Sequence, residues 1–250
     1  MKILVAVRQV PDAESRLEVS EGNLDLSRAS LVLDGMDEYA VDEALLLREA
    51  GLEAELIAVA VGAAALEETL RAALAMGLDR ARLLVGELAD PLAVARAVAE
   101  VARDEQADLI LTGSQQSDWD SQALGPAIAA CLGWPQVSWC HALQLDGGVL
   151  RGRHDVEGGS AAFEVALPAV VTTQQGLNEP RYPTLPNIRR SRSKEVRSES
   201  IPVTLADGWQ LVAQGSAAKA RLGQRIAVSD PQEAAAELLS WLEQTAKVRL

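Results

Sequence analysis

Glu55-Leu56-Ile57-Ala58-Val59-Ala60-Val61-Gly62 decides the fold of this chain. After Glu55 the run is apolar without alternation, as in a strand covered on both faces. Gly62 leads at once into a helical segment that runs through Met76 and stops at Gly77. The same grammar extends to both sides. Upstream, residues 3–7 form another continuous apolar run, and residues 38–50 place Val41, Ala44, Leu45 and Leu47 at helical spacing. Downstream, residues 80–85 read as a third strand. Asp90 then offers an N-cap with Pro91 at the first helical position, ahead of the stripe Val94, Val98, Val101. Residues 108–112 read as a fourth strand and residues 122–132 as a fourth helix. Strands separated by helices of this length predict an α/β fold with a doubly wound, mostly parallel sheet.

The character changes after Trp134-Pro135. Residues 142–150 and 163–171, separated by Gly- and charge-rich residues, suggest a hairpin-like addition, and Leu167-Pro168-Ala169-Val170-Val171-Thr172 reads as a buried strand. It leads into residues 176–188, where Pro180, Pro183 and Pro186 fix φ and remove donors. That segment is expected to be an extended loop of set shape, neither helix nor central strand, with Leu177 as a lone aliphatic residue near its start. The basic run from Arg189 to Arg197 reads either as a solvated connection or as a positive patch facing an acidic protein. Residues 191–224 have weak periodicity and read as an extended arm. A terminal helix follows, with Ser229 and Gln232 as a capping-box pair, Pro231 in its first turn, and Ala235, Leu238, Leu239 and Leu242 on one face. The expected organisation is an α/β domain over residues 1–190, including a loop at 174–188, followed by an arm and terminal helix over 191–250.

A chain of 250 residues with 48% hydrophobic content excludes disorder, and no apolar run is long enough to span a bilayer. No signal or transit peptide is read at the start. Cys131 and Cys140 make no disulfide framework and point to a reducing compartment, the cytoplasm or a mitochondrial matrix. A net charge of −13 argues against nucleic acid or an anionic membrane as the main partner. His141 and His154, the only histidines, do not stand at metal-ligand spacing from either cysteine. No nucleophile elbow, Walker-type loop or dinucleotide fingerprint occurs.

In an open parallel sheet the ligand site lies at the carboxyl ends of the strands. Four stretches should converge there: Ala6 through Asp12, Asp34-Gly35-Met36-Asp37, Ala60-Val61-Gly62, and Thr112 through Gly125. The last is small, polar and leads into a helix, an arrangement that holds phosphate by backbone amides. Gly125-Pro126 is consistent with a close backbone approach. Asp118 and Asp120 read as turn formers, and Trp119 either as a lid or stacking surface or as a filler of its own loop.

The string Leu177-Asn178-Glu179-Pro180-Arg181-Tyr182, continued by Leu185-Pro186-Asn187-Ile188, resembles the β subunit of electron transfer flavoproteins. A second family motif reads His154-Asp155-Val156-Glu157-Gly158-Gly159 with Pro168 beyond it; His154 replaces the usual basic residue and Ala161 a usual acid. The match runs from residue 2 to about Val196. The resemblance implies an adenine-nucleotide-binding, Rossmann-like domain with AMP contacts at Ala6, Asp34, Gly35, Met36, Asp37, Val61, Gly113, Gln116, Asp118, Ser121, Gln122, Ala123 and Leu124, mostly through backbone. It also implies an electron carrier without catalytic residues of its own, closing over an FAD held mainly by an α subunit. Dehydrogenases would dock through Leu177, Asn178, Glu179, Pro180, Arg181 and Tyr182, and electrons would leave to a membrane quinone oxidoreductase. Bifurcating members of the family carry a second FAD in the AMP site; Trp119 fills a position that is often small in them, which favours AMP here. A reading of another class, an ATP-using enzyme or nucleotide-sensing protein on the same architecture, needs a Gly-rich triphosphate loop or a reactive Lys or Ser, and none is visible.

Overall fold

The apolar runs assemble into one sheet of nine strands among the residues that the structure, a computed structural model, describes: 1–20, 23–86, 88, 90–118, 120–201, 212, 225–228 and 230–245. The chain enters through β1 (Lys2–Ala6). It then makes the short strands β2 (Gln9–Pro11), β3 (Glu18–Ser20), β4 (Asn23–Asp25) and β5 (Leu31–Leu33), which pair outside the main sheet, β2 with β5 and β3 with β4. Three helix–strand units follow: α1 (Gly35–Glu49) with β6 (Glu55–Gly62), α2 (Glu67–Met76) with β7 (Arg80–Val85), and α3 (Pro91–Glu105) with β8 (Leu109–Gly113). After α4 (Leu124–Leu132) comes a meander, β9 (Gln136–Asp146), β10 (Val149–Val156) and β11 (Gly159–Ala166). The unit closes with β12 (Ala169–Thr173), α5 (Leu185–Ser191) and β13 (Val196–Ser200). A second unit, residues 215–250, contains α6 (Pro231–Gln244).

The main sheet runs in the order β11-β10-β9-β12-β8-β1-β6-β7-β13. Eight of its strands run in one direction and β10 alone runs opposite. Side chains of β1 alternate between two cores, the strand periodicity at work. Ile3 and Val5 pack with Val41 and Leu45 of α1 and Leu70 and Leu74 of α2. Leu4 and Ala6 pack on the other face with Val98 and Val101 of α3 and Ile128 of α4. The expected doubly wound architecture is therefore present. No helix among the described residues is long and apolar enough to cross a membrane.

Four local expectations change. Residues 163–171 are two strands rather than one, because the chain turns at Leu167-Pro168 between β11 and β12. The meander is set instead by tight turns, and Gly147-Gly148 adopts φ +57° and +82°, the left-handed pair that a two-residue hairpin requires. The Pro-rich segment does end in a helix: Thr184 Oγ1 accepts from Asn187 N, and Pro186 sits in the first turn of α5, where no N–H is needed. The first part of the expected arm belongs to the sheet, since β13 pairs in register with β7. Most of the remaining arm, and Ser229, lie outside the described residues; α6 is capped by Asp230, whose side chain accepts from Gln232 N.

Charge pairs explain why β13 takes its place. Arg82 of β7 bonds Glu105 at 2.5 Å and Asp104 at 2.8 Å at the end of α3, and reaches Glu199 of β13. Arg80 forms a fork on Glu105 at 2.9 and 2.6 Å and bonds Glu55 at 2.7 Å. Lys194, in the basic run, donates to Leu74 O and Leu78 O at the end of α2, and the Arg71 guanidinium donates to Ser191 O and Lys194 O. That ammonium therefore closes a helix end rather than facing a partner.

Hydrogen bonds from Arg80 hold Glu105, 7% exposed, at a pKa of about 2 against a burial that opposes ionisation, compared with 4.5 for a free glutamate. Its stabilisation is complete above the unfolded value and is lost as pH falls from about 5 toward 2. Glu105→Gln should cost about 3 kcal/mol at neutral pH, since it leaves two arginines underpaired. Urea melts across pH should show that loss together with a flattened acid limb.

Candidate functional site

The strand order places a topological switch point between β1 and β8. The chain winds outward through β6 and β7, then returns to β8 and β12 on the other side of β1, so connections leave in opposite directions and open a crevice at the carboxyl ends. Asp37, in the first turn of α1 and fully buried, closes the floor of that gap. Its carboxylate accepts from Arg8 N and Nε, both at 2.8 Å, from Arg8 Nη2, and from Gly113 N at 2.9 Å. Arg8 in turn donates to Gln115 O at 2.9 Å. Burial pushes the Asp37 carboxyl above its ordinary range against the pull of Arg8 and the Gly113 N–H. Burial also weighs on Arg8, but the Asp37 carboxylate outweighs it and leaves the guanidinium above its ordinary value.

Asp34 performs a parallel task. It caps α1 by accepting from Met36 N at 3.0 Å, and it takes Ser117 Oγ at 2.5 Å and Ser117 N at 3.0 Å. Both acids thus hold the loop that follows β8, with their carboxylates turned inward. Any contact that Asp34 and Asp37 offer a ligand is therefore left to their backbone, as the sequence reading expected for most of the site. Ala6 is likewise buried, its methyl in the core under α3 and α4, so only backbone is available there. Gly35 and Met36 line a different cleft of about 820 Å³, shared with Tyr39, Thr69, Pro180 and Tyr182.

Three expected residues do meet. Val61, Gln116 and Leu124 line a crevice of about 170 Å³ together with Arg8, Leu66 and Pro91. Arg8 lies in the first of the four stretches expected to converge, though it was not singled out; Leu66 and Pro91 lie outside all four. The available signal was a cation placed directly after an apolar strand with a potential partner, Asp37, opening the next helix. The loop itself is bent by Asp120 and Gln122, which hold φ of +52° and +54°. Ser121 Oγ donates to Gln116 Oε1 at 3.3 Å, and Gln122 Nε2 lies 3.5 Å from Asp120 Oδ1. Trp119 lies outside the described residues. At the end of the loop Ala123 precedes α4 and offers no side-chain cap, unlike Asp34 at α1 and Asp90 at α3. In the first turn of α4, Leu124 N and Gly125 N therefore have no side-chain cap, Pro126 has no N–H, and Ala127 N bonds Ala123 O at 2.9 Å. Gly125 serves packing: a Cβ there would stand 2.2 Å from Thr172 Cγ2.

The Pro-rich loop is tied to α1. Asn178 Nδ2 donates to Tyr39 O and to Glu43 Oε2, each at 3.0 Å, and Arg181 pairs with Asp42 and with Glu49 at 2.5 Å. Leu177 is not a free-standing anchor. It is half-buried against the core and lines a hollow of about 1090 Å³ between α1 and the β9–β10 hairpin. The most exposed apolar groups of the segment are Tyr182, 94% exposed, and Leu185, 74% exposed, ahead of Ile188 at 38%. Glu179 is exposed and Pro180 half-buried.

Residues 24–204 match the family model of the electron transfer flavoprotein domain, a span that runs from β4 to beyond β13. The electron transfer flavoprotein β subunit of Bradyrhizobium diazoefficiens is 39% identical over 204 residues, which cover 80% of this chain and 82% of that one. That of Syntrophomonas wolfei is 32% identical over 251 residues, covering 100% and 99%. The human β subunit is 38% identical over 208 residues, covering 78% and 80%. The chain belongs to the electron transfer flavoprotein β-subunit family.

In this family member Gly113 is a position of close approach. A Cβ would meet Asp37 Oδ1 at 2.7 Å, Arg8 Nη2 at 2.8 Å and the Met36 carbonyl carbon at 2.8 Å. The last is backbone and cannot swing aside. Gly113→Ala should therefore cost about 2 kcal/mol by prising Arg8 from Asp37. Thermal denaturation should show the loss whether or not a nucleotide is added, since the clash lies inside the fold.

Proposed function

We propose that this chain is the β subunit of a heterodimeric electron transfer flavoprotein, an electron carrier with no catalytic residues of its own. Its α-subunit partner would hold most of one FAD, over which this chain closes. The FAD, when bound, supplies the redox chemistry; this chain contributes position, shielding and docking. The buried acids at the switch point support a carrier rather than a catalyst, because both are engaged by internal donors. Electrons would enter from dehydrogenases and leave to a membrane quinone oxidoreductase. Plant relatives bear names that place them in mitochondria; for this chain we propose the cytoplasm, or the matrix in a eukaryote.

The observation that carries the nucleotide assignment is the uncapped start of α4 beside the switch-point crevice. Phosphate suits unpaired N–H groups at a helix start, and Val61, Leu66 and Leu124 form an apolar wall for a base. The crevice is smaller than the roughly 300 Å³ of a typical enclosed ligand pocket, so it would take part of one AMP and leave the rest on the loop of residues 113–123. Ala6, Gly35, Met36 and Gly113 would act through backbone, while Asp34 and Asp37 hold that backbone in place. Such an AMP would be structural, stabilising the folded state by mass action.

Nucleotides released from the purified heterodimer should comprise one FAD and one AMP; two FAD and no AMP would sink the assignment. Val61→Phe should fill the crevice and lower the AMP affinity at least ~10-fold, with the flavin spectrum unchanged.

Docking would centre on Tyr182 and Leu185, with Leu177 supporting the loop from beneath. The ties to α1 reduce the ordering lost on association. Tyr182→Ala should slow reduction by a partner dehydrogenase about 10-fold when the partner is limiting, with stability changed by less than about 0.5 kcal/mol. Leu177→Ala should slow it too, but with a stability loss of about 1 kcal/mol, because half of that side chain packs at home. Stopped-flow reduction and denaturant melts of both variants separate these outcomes.

A further inference from the structure

The amide that fastens the docking loop to α1 has its hydrogen bonding half complete. Asn178 Nδ2 has two acceptors, Tyr39 O and Glu43 Oε2, while Asn178 Oδ1 is buried without a donor. Turning the amide over would set Oδ1 against the Tyr39 carbonyl, acceptor against acceptor, so the Tyr39 backbone fixes the orientation. Glu43 is 5% exposed, and an ionised carboxylate there offers acceptors only. A protonated one has an O–H as well. Acid and amide then close a ring of two hydrogen bonds, amide N–H to one carboxyl oxygen and carboxyl O–H to the amide oxygen.

The surroundings favour the proton. Asp42, next along α1, adds negative charge but is itself held by Arg181, which also reaches Glu49. Cys140 of β9 adds no charge: burial pushes its thiol up to about 12, and the thiol donates to Ala142 O. His141, whose Nδ1 lies 3.0 Å from Asp155 Oδ1, lines the same hollow, and Asp146, Arg151 and Arg153 also line it. Among the described residues no cation forms an ion pair with Glu43.

We propose that Glu43, in its protonated form, is the positioning residue of the docking loop: it bonds both polar atoms of the Asn178 amide and holds residues 177–182 in docking geometry on α1. The proposal rests on the docking role given to this loop above. Burial pushes Glu43 up to about 7, against the Asn178 N–H and helped by Asp42. The ring is therefore present below neutral pH and lost as pH rises through that value.

The test uses the full-length heterodimer. The Leu177 methyl and Asn178 side-chain amide resonances should follow a one-proton curve with its midpoint near pH 7. In Glu43→Gln the curve should vanish, because a glutamine N–H supplies the missing donor at every pH. In His141→Gln the midpoint should persist. Asn178→Ala, a second probe of the pair, should also abolish the Leu177 titration. A flat wild-type profile, an unchanged midpoint in Glu43→Gln, or its loss in His141→Gln would overturn the proposal. Docking adds a separate readout. Reduction under limiting dehydrogenase should weaken about 10-fold between pH 6 and pH 8 relative to Glu43→Gln, the ratio of protonated fractions for a group titrating near 7. A titrating loop with flat docking keeps the acid–amide pair and refutes the docking role; pH-dependent docking with a silent loop refutes the pair.

Discussion

One buried carboxylate organises the business end of this protein. Asp37 accepts four hydrogen bonds, three from Arg8 and one from Gly113, and so ties the end of β1 to the end of β8 across the gap where the winding reverses. Two parallel strands at a switch point have no connection of their own to close them. Without Asp37, Arg8 would be a buried cation beside two backbone carbonyls, and the loop after β8 would lose its fixed start. A buried pair of this kind is a poor source of net stability but a strong determinant of geometry, since removing either partner strands the other. The crevice, the uncapped α4 and the loop between them all inherit their positions from it.

The helix that carries Asp37 does two jobs on two faces. Asp34 and Asp37 serve its N-terminus, where the dipole favours acids and where the β8 loop must be held. One to three turns later the Tyr39 carbonyl, the buried Asp42 and Glu43, and the exposed Glu49 receive Asn178 and Arg181. The proposed nucleotide loop and the proposed docking loop are thus fastened to the same rigid rod. A chain with net charge −13 does not simply wear its acids on the surface; several of them, Asp34, Asp37, Asp42 and Glu43 among them, are internal fasteners.

At the opposite end of the sheet, Arg80 and Arg82 gather Glu55, Asp104, Glu105 and Glu199. This network joins α3, β6 and β7, whose paired residues lie 22 to 25 positions apart, to β13, where Glu199 is 117 positions from Arg82. It is the reason a stretch of weak periodicity becomes an edge strand. No local pattern in residues 196–200 announces a strand, because the partner that recruits them is a guanidinium on β7.

The alternation of unbroken apolar runs with capped amphipathic helices determined the doubly wound sheet directly, since only a strand covered on both faces tolerates such runs. The Asp90-Pro91 start of α3, the small polar loop after β8 and the Pro-rich string were legible for the same reason: each is a local rule of backbone and side chain. What needed the tertiary structure was direction. Asp34 and Asp37 stood at the right place in the sequence, but only packing showed their carboxylates turned inward. Leu177 looked like a lone exposed anchor, yet it leans on the core and leaves Tyr182 and Leu185 outermost. Pro186 looked like a barrier to helix, yet it fell in the first turn, where its missing donor is harmless. Periodicity reports which residues share a face. Which neighbour that face meets, and which oxygen a given N–H finds, depends on contacts between distant segments, and those exist only once the chain has folded.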